Sequence, residues 1–110
     1  MQGYSNLVRK ALIQIDMDLS GDLTLSTIAG LLDVNPSYLS TVFKKETGQT
    51  LTEYVTEKRI DHAIFLLNST NLQIQTIAQY CGIPDVCYFT KIFKKHVGKS
   101  PTEYKNNIMK

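Results

Sequence analysis

A chain of 110 residues is long enough for one small domain or for two very small lobes. Its 43% hydrophobic residues support a packed core, and its 20% charged residues with few Gly and Pro exclude a disordered chain. No apolar run approaches the roughly 20 residues that cross a bilayer, and the N-terminus lacks a signal-peptide pattern. We therefore expect no membrane association and a cytoplasmic location.

The first 49 residues predict three helices. Apolar residues recur at spacings of three and four between Ser5 and Asp18, which indicates an amphipathic helix. Thr24 is a suitable N-cap for a second, short helix, and a turn leads to a third that begins at Pro36 and ends at Gly48. The outer face of that third helix carries small polar residues and lysines, namely Ser37, Ser40, Thr41, Lys44 and Lys45. Ordinary solvent exposure and contact with a DNA groove both explain this face.

A longer helix is predicted over residues 51–67, after a capping box formed by Thr50 and Glu53. Its inward stripe consists of Ile60, Ala63, Ile64 and Leu67. At 1.5 Å per residue it is about 25 Å long, which suits a spacer between two units that dock roughly 34 Å, or one DNA turn, apart. Arg59 on this helix is either a phosphate contact or the ion-pair partner of a nearby acid. His62 is expected at the surface.

A second pair of helices is predicted after a polar loop at residues 68–71. Gln73 stands at the position of the first cap and caps less well than Thr there. Gly82 supplies the left-handed backbone of the turn, and Asp85 caps the next helix. The outer face of that helix consists of Val86, Cys87, Thr90, Lys91, Lys94 and Lys95. Of these, the first two either contact a thymine methyl or pack as a lid on the core, and the lysines suit phosphates better than guanine edges.

The two halves of the chain repeat each other. Phe43–Lys45 aligns with Phe93–Lys95 at a spacing of fifty, and Ile28–Ala29 aligns with Ile77–Ala78 at forty-nine. The difference of one residue falls in the predicted turn, where a chain tolerates it. A short helix, a tight turn and a second helix form a helix-turn-helix, whose second helix can lie in the DNA major groove. The basic excess lies in residues 85–110, which hold six Lys against two acidic residues.

Few residues in the chain have the chemistry of a catalytic or metal site. The two cysteines, Cys81 and Cys87, are too few for a disulfide framework, and His62 and His96 are far from them in sequence, so we expect no metal and no cofactor. Cys81 aligns with Leu32, which favours a buried apolar role. We find no paired acids, no nucleophile with a base and no phosphate-binding glycine loop, so we do not expect an enzyme.

Three segments resemble the DNA-binding domain of AraC/XylS-type bacterial transcription regulators: Phe43–Gly48, Tyr88–Lys95 and Gly98–Tyr104. The resemblance extends from about Leu7 to Tyr104. It implies an all-α fold of about seven helices, with two helix-turn-helix lobes joined by the long helix. It also implies that both recognition helices enter adjacent major grooves of promoter DNA and that the protein activates transcription by contacting RNA polymerase.

The chain departs from the family pattern at four positions. Members commonly have an aromatic residue in place of Ile83, Ser in place of Cys87, and Arg in place of Lys91 and Lys105. Ile83 keeps an apolar side chain at its position. Lys91 lacks the bidentate fork of Arg, so we expect specificity to depend more on water, methyl contacts and DNA shape than on guanine pairing.

We therefore predict a sequence-specific double-stranded DNA-binding domain, formed by an N-terminal lobe (1–49), a linker helix (50–68) and a C-terminal lobe (69–110). The alternative is a helical protein-interaction module that contacts polymerase or an effector domain and binds DNA only weakly. We expect the chain to be the C-terminal domain of a longer regulator, and any dimerisation to use a domain outside it.

Overall fold

Seven α-helices and no strand make up residues 3–108, the part of the chain that the computed structural model describes. In chain order they are α1 (Asn6–Met17), α2 (Leu25–Leu31), α3 (Pro36–Thr47), α4 (Leu51–Ser69), α5 (Ile74–Tyr80), α6 (Val86–Val97) and α7 (Pro101–Ile108). This confirms the predicted all-α fold of about seven helices. None of the described helices is both long enough and apolar enough to span a membrane.

The helices belong to two compact units that divide between Thr56 and Glu57, within α4. The predicted division into a lobe, a linker helix and a second lobe stays a prediction. The terminal residues of those predicted lobes, 1–2 and 109–110, lie outside the described part of the chain.

In the first unit, α3 packs against α1 and α2. The core is formed by side chains that recur at helical spacing, namely Val8, Ala11, Leu12, Ile15, Leu23, Ile28, Ala29, Leu39, Phe43, Leu51 and Val55. Phe43 is fully buried, and its ring meets Tyr54 edge-on with ring centroids 5.7 Å apart. Because Leu39 and Phe43 anchor one side of α3, the opposite side of this helix faces outward.

In the second unit, α6 packs against α5 and α7. Its core consists of Ile60, Ala63, Leu67, Ile77, Ala78, Cys81, Ile83, Phe89 and Phe93. The ring of Phe93 lies 5.8 Å from that of Phe89 and 5.9 Å from that of Tyr104. Phe89 and Phe93 thus fix the orientation of α6 as Leu39 and Phe43 fix that of α3.

Helix α4 continues to Ser69, two residues beyond its predicted end at residue 67, so the start of the predicted polar loop is helical. The hydroxyl of Ser69 donates to the carbonyl of Phe65 over 2.6 Å, and that of Thr70 donates to the carbonyl of Leu66 over 2.6 Å. Each bond adds a side-chain donor to a carbonyl near the end of the helix, and the carbonyl of Leu66 also accepts the N–H of Thr70 over 3.0 Å. Residues 68 and 69 were therefore wrongly assigned to the loop, whereas residues 70 and 71 are non-helical as predicted.

Two further features of α4 differ from the sequence prediction. Leu51 and Val55 of α4 are buried in the core of the first unit. The inward stripe predicted for this helix began only at Ile60, in the core of the second unit, and omitted them. His62, expected at the surface, is half-buried, and its ring stacks on that of Phe65 with centroids 6.3 Å apart. The apolar Phe65 ring beside it explains why this histidine does not extend into solvent.

Candidate nucleic-acid interface

Equivalent backbone hydrogen bonds close the C-terminal ends of α2 and α5. The N–H of Val34 donates to the carbonyl of Ala29 over 3.0 Å, and the N–H of Ile83 donates to that of Ala78 over 2.9 Å. These bonds span five residues and close a helix end of the Schellman type. The two turns therefore begin with the same backbone geometry, although their sequences differ.

The residue that reverses the chain direction is in the left-handed region in both turns. It is Gly82 in the second unit, with φ of 83°, and Asp33 in the first, with φ of 57°. The prediction for Gly82 is confirmed, and Asp33 takes the same conformation although its Cβ makes it less favourable. The second turn is one residue longer because Pro84 lies before the cap, which is where the repeat predicted the length difference.

A side-chain N-cap is present at the start of α3 and at the start of α6. Oδ1 of Asn35 accepts a hydrogen bond from the N–H of Ser37 over 2.8 Å, and Oδ1 of Asp85 accepts one from the N–H of Tyr88 over 3.2 Å. The predicted cap at Asp85 is confirmed, and the Asn35 cap was missed because its residue was assigned to the turn. Both caps hold the first turn of a helix, in which Ser37 and Cys87 are exposed.

The outer face of α3 is polar and carries two lysines. Ser37, Thr41 and Lys44, at spacings of four and three, lie on one side of the helix, and all three are exposed, as is Lys45. Ser40 is half-buried at the margin of this face. The hydroxyl of Thr41 donates to the carbonyl of Ser37 over 3.0 Å. The Thr41 side chain therefore presents a methyl group and a hydrogen-bond acceptor outward.

The corresponding face of α6 is more basic. Cys87, Lys91 and Lys94 occupy the same three positions and are exposed, as is Lys95. No acidic residue occurs between Val86 and Val97. This face therefore attracts anions more strongly than that of α3.

Two predicted residues of α6 are less accessible than expected. Val86 is half-buried and packs against the core of the second unit, which favours the lid interpretation over contact with a thymine methyl. Thr90 is half-buried at the margin, like Ser40 in the first unit. Of the apolar pair at the start of α6, only Cys87 is exposed.

Arg59 is the one predicted DNA-contact residue that lies outside α3 and α6. It is half-buried on α4, and its charge acts on the Cys81 thiol. Burial raises the pKa of Cys81 to about 12, against the opposing effect of the Arg59 charge. Cys81 is thus the buried, unreactive side chain that the sequence predicted, and the two interpretations of Arg59 stay predictions.

Sequence analysis did not single out the exposed tyrosines of the two helices. Tyr38 is 59% exposed on α3 and Tyr88 is 58% exposed on α6, at positions fifty residues apart. Each precedes a fully buried residue, Leu39 or Phe89. The repeat spacing pairs these tyrosines and could have identified them.

The described residues also bear on catalytic and metal chemistry. Across residues 3–108, no group of three or more His, Cys, Asp and Glu side chains is arranged to hold a metal ion. The features that remain are the two capped helices and their polar and basic faces.

A family model described as a helix-turn-helix domain matches residues 28–107, which is most of the chain. The chain belongs to the AraC/XylS family of transcription regulators. The fold of this AraC/XylS-type domain agrees closely with that of the C-terminal domain of AraT, a response regulator from Geobacillus stearothermophilus. The two are 38% identical, with a TM-score of 0.94 over 96% of this chain and 88% of that one.

Two regulators of Escherichia coli strain K12 illustrate the similarity in sequence. The uncharacterised HTH-type regulator YijO is 34% identical over 83% of this chain and 32% of its own length. The arabinose operon regulatory protein is 32% identical over 91% of this chain and 35% of its own length. The chain thus spans about a third of the length of these curated relatives. These relatives are transcription regulators and not enzymes, in agreement with the prediction from the sequence.

Proposed function

We propose that the chain is a sequence-specific double-stranded DNA-binding domain of a transcription activator, with α3 and α6 as its recognition helices. The observation that supports this most strongly is the repetition of one arrangement in both units. Each unit has a turn that begins with the same backbone geometry, a capped second helix with buried anchors, and an outer face of polar or basic side chains. A helix-turn-helix uses such a face to contact base edges in the major groove.

The side chains divide into two classes by chemistry. Lys44, Lys45, Lys94 and Lys95 lie toward the C-terminal end of their helices and are proposed as phosphate contacts, because a flexible ammonium group suits the charged backbone. Ser37, Thr41 and Cys87, on the exposed faces, are proposed at the base edges, whereas Ser40 and Thr90 border those faces and Lys91 is proposed as a further phosphate contact. With no Arg among them, we expect water-mediated contacts and DNA shape to supply much of the specificity.

The proposal includes simultaneous docking of both helices in adjacent grooves. It is supported by α4, which is continuous over 19 residues and so is about 28 Å long at 1.5 Å per residue. Hydroxyl-radical footprinting on a selected site tests this part. We expect two protected clusters roughly 10 base pairs apart, and a single cluster would contradict it.

Affinity on matched duplexes tests sequence-specific binding. A site is first selected from a random library, and Kd is then measured for that duplex and for a scrambled duplex of equal composition at several salt concentrations. We expect the selected site to bind at least 1,000-fold more tightly, as specific complexes typically do. Equal affinity for the two duplexes would refute sequence-specific binding.

Matched variants locate the interface. Lys44→Ala and Lys91→Ala should weaken binding, whereas Lys10→Ala, which removes the same charge from the exposed side of α1, should have little effect. In the footprint, the first variant should weaken one protected cluster and the second variant the other. Equal losses for all three variants would indicate general charge attraction instead.

We extend the proposal to three properties of the regulator to which this domain belongs. It acts in the cytoplasm, contacts RNA polymerase as an activator, and forms any dimer through a region outside this chain. The name of the arabinose operon regulatory protein describes operon control for that relative. Transcription reconstituted with purified polymerase tests activation, and a decrease in transcript from a selected site would indicate a repressor.

One observation favours the alternative of a protein-interaction module. Large apolar side chains are exposed away from the recognition helices, at Ile13 and Met17 on α1 and at Phe65 on α4. Contiguous exposed apolar groups often mark contacts with other proteins, and Ile13 and Met17, four residues apart, lie on the same side of α1. Under this alternative the chain would elute from heparin at low salt and bind selected and scrambled duplexes equally weakly.

A further inference from the structure

The two exposed tyrosines of the recognition helices contrast with another pair at the same repeat spacing. Tyr54 and Tyr104 are half-buried, and their rings pack against the buried phenylalanine of their unit. Tyr38 and Tyr88 are exposed to 59% and 58%, and neither hydroxyl has a hydrogen-bond partner within residues 3–108. Packing therefore explains the first pair but not the second.

The helix register places the exposed tyrosines at one edge of each outer face. Tyr38 aligns with Thr41 and Lys45 at spacings of three and seven, and Tyr88 aligns likewise with Lys91 and Lys95. The opposite margin is formed by the half-buried Ser40 and Thr90. An edge that combines a tyrosine hydroxyl with a lysine ammonium group offers two donors side by side, one neutral and one charged.

We propose that Tyr38 and Tyr88 are phosphate anchors, each donating its hydroxyl to a backbone phosphate at the border of the groove that its helix enters. The inference rests on the proposed DNA-binding function and adds a positioning role. A helix in the major groove has its centre against base edges and its margins near the two phosphate strands. Tyrosine hydroxyls are among the groups that bind phosphates and fix the orientation of a protein on the duplex.

A neutral donor has a signature that distinguishes it from the lysines. A lysine that neutralises a phosphate releases a counterion, so its loss reduces the dependence of log Kd on log salt by about one unit. A tyrosine hydroxyl releases none. Removing the hydroxyl should therefore weaken binding by the same factor at every salt concentration and on every sequence.

The experiment measures Kd for the full 110-residue chain and its Tyr→Phe and Tyr→Ala variants, on a library-selected duplex and on a scrambled one, from low to moderate salt. Tyr38→Phe and Tyr88→Phe keep the ring and remove only the hydroxyl. The matched control is Tyr80→Phe, because Tyr80 is 56% exposed but lies at the end of α5. Circular dichroism and Tm confirm that each variant is folded.

We expect Tyr38→Phe and Tyr88→Phe each to raise Kd about tenfold, as loss of a hydrogen bond to a charged group does. The loss should be equal on both duplexes, the salt slope should be unchanged, and Tyr80→Phe should bind as the unmodified chain does. The double variant should lose about a hundredfold if the two anchors act independently.

Four results would refute the proposed phosphate contacts of Tyr38 and Tyr88 without contradicting the proposed DNA-binding function. They are full affinity of both Tyr→Phe variants, a loss seen only with Tyr→Ala, a loss confined to the selected duplex, or an equal loss in Tyr80→Phe. The second result would mean that the ring acts without its hydroxyl, and the third that the tyrosine reads bases. Failure of the unmodified chain to bind any duplex would instead overturn the proposed function together with this inference.

Discussion

The short helices α2 and α5 differ in their N-caps, and exchanging the two N-cap residues should change the free energy of unfolding in opposite directions. Thr24 accepts a hydrogen bond from the N–H of Thr27 over 3.3 Å, whereas Gln73, at the same position of α5, makes no side-chain cap bond. As predicted from the sequence, Gln73 is the poorer cap. Replacing it with Thr should supply the missing acceptor for the N–H of Thr76, the counterpart of Thr27.

The structure indicates that this gain requires no rearrangement. The backbone at Gln73 has φ of −68° and ψ of 152°, against −67° and 156° at Thr24. A threonine at position 73 is therefore already in the extended conformation that an N-cap adopts. We expect a gain of about 1 kcal/mol, which for a domain of this size raises Tm by about 4 °C.

The assay is urea unfolding of Gln73→Thr together with amide exchange. Exchange at the Thr76 N–H should slow, because this donor gains a partner. The mirror variant Thr24→Gln should lose at least as much stability, because Thr24 also takes part in a network in which the Thr27 hydroxyl donates to Asp22 over 2.9 Å. If Gln73→Thr left both stability and Thr76 exchange unchanged while Thr24→Gln destabilised the protein, the reasoning from equal backbone geometry would be refuted.

Three further predictions follow from single residues. Lys94→Ala should weaken binding to selected and scrambled duplexes alike and reduce the salt slope by about one unit, whereas an unchanged slope would remove Lys94 from the phosphate backbone. Asp33→Gly should raise the free energy of unfolding by about 0.5–1 kcal/mol in urea titrations, because Gly is less strained at positive φ. The reverse change, Gly82→Asp, should lower this free energy. If neither variant differed in stability from the unmodified chain, the prediction would be wrong. The hydrogen bonds of the capping box at the start of α7 lower the pKa of Glu103, so its contribution is present above the ordinary Glu range and is lost as pH falls through the folded pKa. The protection factors of the α7 amides, which are corrected for the intrinsic pH dependence of exchange, should therefore fall at acid pH, and Glu103→Gln, which keeps an acceptor oxygen but does not titrate, should not show this fall.

Much of the fold could be predicted because local chemistry and core spacing agree along most of the chain. The capping box of Thr50 and Glu53 was read from four residues and forms as expected, with N–H to oxygen distances of 2.8 and 3.1 Å. The third helix ends at Gly48 as predicted, and both Gly48 and its counterpart Gly98 are in the left-handed region. Such signals depend on neighbours in sequence, so they are visible without knowledge of the tertiary structure.

The errors occur where tertiary contacts decide the outcome. Helix α4 contributes to two cores, so its buried residues do not follow one continuous stripe, and Leu51 and Val55 were overlooked. The burial of Val86 depends on how closely α6 packs on the second core. Tyr38 and Tyr88 were overlooked although the repeat pairs them, because spacing gives the side of the helix but not the extent to which the neighbouring core covers a ring.

The internal repeat separates positions that the fold constrains from positions that it leaves open. Phe43 and Phe93, which anchor α3 and α6, are identical and fully buried. Thr41 and Lys91 occupy the same outward position and differ in size, charge and hydrogen-bonding capacity. Because the two outer faces are chemically different while their supporting cores are alike, the proposed helices would favour different base sequences. A duplex that suits both faces in one orientation would then not suit them when reversed, so the expected binding site lacks twofold symmetry and fixes the direction in which the domain binds.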